Sequence, residues 1–142
     1  MKLKKIHHIL IQVGILLITY IVASIYALSP IYDEKYFFLR WIMDHEILFL
    51  TIGIVTIFLS IYKGHVAGYF LTIGNVIGIF IGMFLGIEIY NQRVKLITTS
   101  MSHDTIWSLR HRYDITIWII CMLISIAIYI IWKKYLSKKK EL

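Results

Sequence analysis

Apolar residues gather into four long runs, at residues 9–28, 47–62, 66–87 and 115–132, separated by short polar intervals. Each run is near the roughly 20 residues that carry a helix across a bilayer core about 30 Å thick. The second is the shortest at 16 residues, and Trp41, Ile42 and Met43 just before it extend it. Only Lys63, Gly64 and His65 separate the second run from the third, which forces an antiparallel hairpin. The pattern predicts an all-α, polytopic membrane protein: an antiparallel four-helix transmembrane bundle forming one domain over residues 1–142.

The third run carries a second pattern. Gly74, Gly78, Gly82 and Gly86 recur every four residues, with Gly64 and Gly68 before them. Side chains reduced to hydrogen let a neighbouring backbone approach closely, which is how helices associate in lipid. Four residues subtend about 400° of an α-helix, so the stripe drifts slowly and favours a right-handed crossing. The third span is therefore expected to be central, a glycine zipper with Ile79 pointing away from it.

Two loops join the spans on the face opposite the hairpin, at residues 29–46 and 91–114. The first contains Pro30 and the rings of Tyr32, Tyr36, Phe37, Phe38 and Trp41, expected at headgroup level. In the second, Ile106, Leu109 and Tyr113 share a helical face with Trp107 beside it. A short interfacial helix over 104–113, capped by Asp104, is expected.

Composition fits a membrane protein, with 59% hydrophobic residues and 31 isoleucines. The net charge of +7 resembles a nucleic-acid signal until it is placed on the topology. Lys2, Lys4, Lys5, Lys63, Lys133, Lys134, Lys138, Lys139 and Lys140 fall on one side with a single acid, Glu141. Lys35, Arg40, Arg93, Lys95, Arg110 and Arg112 fall on the other with Asp33, Glu34, Asp44, Glu46, Glu88, Asp104 and Asp114. The positive-inside rule puts both termini in the cytoplasm of a cell membrane. The basic excess then means orientation and attraction to anionic lipid, with no nucleic-acid partner. The isoleucine, lysine and tyrosine content is what AT-rich coding produces and points to a low-GC bacterium. Val22, Ala23 and Ser24 resemble a signal cleavage site, but the apolar run before them exceeds a signal core, so the first span is expected to be retained.

Candidate chemistry is sparse. Cys121 is the sole cysteine, which excludes an intrachain disulfide and CxxC redox chemistry. Asn75, Glu88 and Gln12 are the most suggestive polar residues near spans, fitting a pore lining or, for Asn75, a hydrogen bond that fixes helix register. His8 and Gln12 share a face, as do Thr56 and Ser60. Asp44, His45, Glu46, His103, Asp104 and His111 could furnish a metal site from two loops, though their spacing matches no metal motif. His7, His8 and His65 gather at the cytoplasmic face. Nucleophile elbows, phosphate loops and paired catalytic carboxylates are absent, and no cofactor is expected.

The segment holding Asn75, Val76, Gly78, Phe80 and Gly82 is similar to part of the small four-helix fluoride channels, which share this length and span count. The chain departs from them in lacking their helix-breaking Thr/Ser–Phe motif and their early arginine signature. It lacks the first-span glutamate of small multidrug exporters as well. The expected function is that of a non-enzymatic integral membrane protein packing with itself or another membrane component, in an accessory, immunity-type or assembly role. A homo-oligomeric channel or transporter passing Asn75 and Glu88 is the alternative.

Overall fold

The computed structural model describes residues 2–28 and 36–140. Pro30, Tyr32, Asp33, Glu34, Lys35 and Glu141 lie outside the described residues. Six helices follow in order: α1 (Lys2–Ala27), α2 (Phe37–Asp44), α3 (Glu46–Tyr62), α4 (His65–Val94), α5 (His103–Leu109) and α6 (Asp114–Lys140), with no strand among the described residues. Three of them, α1, α4 and α6, are long and apolar enough to cross a membrane. The number rises to four if the bent pair α2–α3 counts as one span.

That bend is the first departure from expectation. Trp41, Ile42 and Met43 do not continue α3 in line; they belong to α2, which meets α3 at 79°. His45 makes the corner, with φ −118° and ψ 41°. Its backbone N–H donates to the Trp41 carbonyl at 3.0 Å and its ring stacks on Trp41 at 4.2 Å. The physical reason is burial: α2 carries Phe38, Leu39 and Ile42 on one face, and turning lays that face into the core. Phe38, expected at headgroup level, is fully buried instead. From α2, Arg40 also reaches back to donate to the Ala27 carbonyl at 3.1 Å, a cation at the C-terminal end of α1.

Helix α4 touches every other helix. Half of its apolar window is buried, against 22% for α1 and 6% for α6. The buried half is one continuous sector running from the glycines round to Met83, and Ile73, Ile77, Phe80, Ile81 and Phe84 lie exposed on the other half. Gly74, Gly78, Gly82 and Gly86 face α6, while Ile79 and Met83 serve the core with Leu16, Ala23, Leu39 and Phe49 from α1, α2 and α3. Ile79, expected to point away, is only 1% exposed. Gly64 makes the turn between α3 and α4 at φ 100°, a left-handed conformation that a side chain would strain.

The second outer loop is shorter than its sequence pattern implied, because α4 runs on to Val94 and α6 begins at Asp114. The short helix α5 ends at Leu109 and starts from Ser102, whose Oγ accepts from the Thr105 N–H. Asp104 sits in its first turn and is not the cap. Arg93 ties the loop to α4 by donating to the Ser108 carbonyl at 2.8 Å.

Candidate functional site: the glycine face of α4 and its polar inclusions

A residue on α4 that must let another helix approach can afford almost no side chain, and α6 lies against four such positions. A Cβ built on Gly74 would stand 2.5 Å from Ser125 Cβ. On Gly78 it would meet Trp118 Cδ1 at 2.9 Å and Cys121 Cβ at 3.0 Å. On Gly82 it would lie 2.8 Å from the Asp114 carbonyl oxygen and 3.1 Å from Phe38 Cε1. On Gly86 it would run into the Asp114 carboxylate. Real side chains essentially never sit so close, so each glycine is required for this approach. The facing residues on α6, Asp114, Trp118, Cys121 and Ser125, are four, three and four apart and form one stripe. The sequence carries this matching stripe as four non-aliphatic residues interrupting an isoleucine-rich run, a signal the spacing of the glycines alone does not supply.

Three polar clusters are set into the packed faces. Near the middle, the Trp118 indole N–H donates to Asn75 Oδ1 at 2.8 Å, with both residues buried. The Asn75 Nδ2 has no partner. Near the N-terminal end of α4, Ser60 Oγ donates to Gln12 Oε1 at 2.6 Å and Gln12 Nε2 donates to the His65 carbonyl at 3.2 Å. Gly68 makes the room, since a Cβ there would collide with Ser60 Oγ and reach Gln12 Oε1 at 2.5 Å. This knot joins α1, α3 and α4. Beside it, the rings of His8 and His65 stack at 4.2 Å, and His8 Nδ1 lies 3.2 Å from the Tyr69 hydroxyl. At the far end, Arg112 Nε donates to Asp114 Oδ2 at 2.8 Å, leaving Asp114 Oδ1 buried without a hydrogen bond. The Arg112 guanidinium also lies over Phe37 at 4.2 Å and Tyr90 at 4.8 Å, linking α2, α4 and the start of α6.

The remaining candidates are dispersed. Glu88 is exposed and accepts from Gln92 Nε2 at 2.9 Å, whereas Asn75 is buried, so the two do not converge. Thr56 Oγ1 bonds back to its own helix at the Ile52 carbonyl, 2.9 Å away. His45 is engaged with Trp41, and His111 packs edge-on against Tyr113 at 5.1 Å. His103 and Asp104 lie exposed on α5. Among the described residues no three His, Cys, Asp or Glu side chains come together as a metal site. The Gln12–Ser60 bond was not foreseen, because nothing in the spacing of residues 48 positions apart marks them as neighbours; Arg112 and Asp114 are two residues apart, and their pairing could have been read from that spacing.

The described chain is thus a helical one with several helices suited to a membrane, centred on α4. Comparison with protein-family models, with curated proteins and with solved structures finds no match to this chain.

Proposed function

We propose that this is a small, non-enzymatic integral protein of the cell membrane, an antiparallel four-helix bundle in which α2 and α3 together make one bent span. Both termini are cytoplasmic, and the glycine stripe of α4 acts as an internal zipper that holds α6. The protein works by packing against a second copy of itself or another membrane component, in an accessory, immunity-type or assembly role. The carrying observation is α6. With only 6% of its apolar window buried, it rests on α4 by one strip and leaves Leu123, Ile124 and Ile131 turned outward. The glycines are used up within the chain, so a partner meets the outer faces of α6 and α1. A photo-crosslinking residue placed at Leu123 or Ile131 in whole cells tests this. A discrete adduct of fixed mass is expected from these positions and none from Ile79. Adducts to lipid alone at every outward position would overturn the reading.

A homo-oligomeric channel is the second reading, favoured by the unpaired Asn75 amide at depth. Against it, Asn75 and Gly86 are separated by about 16 Å of helix lined by Gly78, Ile79, Gly82 and Met83, with no polar side chain to wet the gap. Protein reconstituted in liposomes is expected to pass no ions above background. Reproducible flux abolished by Asn75→Ala or Glu88→Gln would put the channel first.

A further inference from the structure

A groove of about 520 Å³ opens between the end of α3, the start of α4 and the C-terminal half of α6. Its α6 wall runs from Ile126, Tyr129 and Ile130 to Lys133, Lys134 and Ser137, so one helical face changes from mainly apolar to cationic along its length. Opposite stands Lys63 in the α3–α4 turn, with Leu59 and Ala67 one turn to either side of it. The groove is therefore lined by apolar side chains and, towards the α3–α4 turn and the C-terminal end of α6, by three lysines. Among the described residues none of these lysines lies within 4.0 Å of a carboxylate; the ion pair that does form, Arg112–Asp114, is at the other end of α4.

Three cations sharing one groove repel one another unless an anion joins them. The occupant must also be amphiphilic. A soluble phosphate would leave the apolar part unfilled, and a zwitterionic lipid would bring its own cation among the lysines. Basic recesses between membrane helices recognise anionic lipid headgroups on the cytoplasmic side. We propose that the groove holds one anionic phospholipid, its phosphate between Lys63, Lys133 and Lys134 and an acyl chain along Leu59, Ile126 and Ile130. The site is independent of which membrane component the outer faces meet.

Native mass spectrometry of the full chain, released from nanodiscs containing equal phosphatidylglycerol and phosphatidylcholine, tests the assignment. One phosphatidylglycerol is expected to stay bound in preference to phosphatidylcholine. The pair Lys63→Gln and Lys134→Gln should lower its retention by about tenfold or more, since each cation at an anionic headgroup contributes roughly fivefold. The pair Lys138→Gln and Lys139→Gln removes the same charge outside the groove and should leave retention unchanged. Ile130→Trp, at an exposed position, fills the apolar part without touching charge and should also lower it. Equal loss from both lysine pairs would mean diffuse attraction and overturn the site. So would an absent preference for phosphatidylglycerol, or retention that ignores the groove pair or Ile130→Trp.

Discussion

Trp118 hands its indole hydrogen to the side-chain carbonyl of Asn75 across the α4–α6 contact, 2.8 Å away and out of reach of solvent. The bond forms one turn from Gly78, where a Cβ would stand only 2.9 Å from Cδ1 of the same tryptophan. Register and proximity are thereby set by neighbouring residues of one helix turn. Interhelical hydrogen bonds in membranes contribute about 1 kcal/mol. Asn75→Ala and Trp118→Phe should each lower thermal stability in detergent, and the double variant should lose less than their sum. Strict additivity would mean that the bond contributes nothing.

Gly78→Leu or Gly82→Leu should cost at least about 1–3 kcal/mol by overfilling the α4–α6 contact. The proper control is Ile77→Leu, at a position 48% exposed, because Ile79 belongs to the core. Thermal unfolding in detergent reads the difference. Glycine variants as stable as the control would place the stripe against lipid.

At the other polar knot, Gly68→Ala pushes a methyl group into Ser60 Oγ and Gln12 Oε1. Ser60→Ala removes one of the two obstacles while forfeiting one hydrogen bond. In the Ser60→Ala background, Gly68→Ala should therefore cost less than it does alone. The same unfolding assay decides, and an equal cost in both backgrounds would show that the glycine is not tight there.

Removing Arg112 strands a buried carboxylate, which typically costs about 3–5 kcal/mol. Arg112→Ala should destabilise strongly, and adding Asp114→Asn should recover much of the loss. Failure of the second change to recover any stability would assign the effect to the guanidinium's contacts with Phe37 and Tyr90 instead.

The charge asymmetry yields a topology test. In a Cys121→Ser background, a cysteine at Ser100 should be labelled by an impermeant reagent added outside intact cells, and one at Ser137 should not. The reverse pattern would invert every face assignment.

Much of this architecture was legible because it depends on local pattern. Run lengths located the long helices, and the three-residue gap at Lys63, Gly64 and His65 gave the hairpin. The glycine spacing marked the face that α6 covers. What escaped was non-local. The sequence around Trp41 reads equally well as an extension of α3, and only the burial available to Phe38, Leu39 and Ile42 decides for a 79° corner. Ile79 lies next to Gly78 in sequence yet about 100° round α4 from it, on the flank packed against the core, and periodicity within one helix cannot reveal how far the covered sector extends. The loop histidines were grouped by their types, but their backbones hold them on separate segments.

The glycine stripe also has a consequence for the order in which the chain is made. Helix α4 leaves the ribosome before α6 exists, so for the time needed to synthesise some 20 connecting residues and then α6 itself, its small-residue face and the Asn75 amide are bare. Bare stripes of this kind pair with each other in lipid. A chain ending after Val94 should therefore self-associate through α4, where the complete chain does not, and Gly78→Leu should abolish the association. A membrane two-hybrid assay of the short chain with and without Gly78→Leu would show it; a short-chain signal that ignores Gly78→Leu would mean that the glycine stripe is not its contact. Polypeptides arrested at this stage would be the sticky species, and the last helix would serve the others as their release from one another.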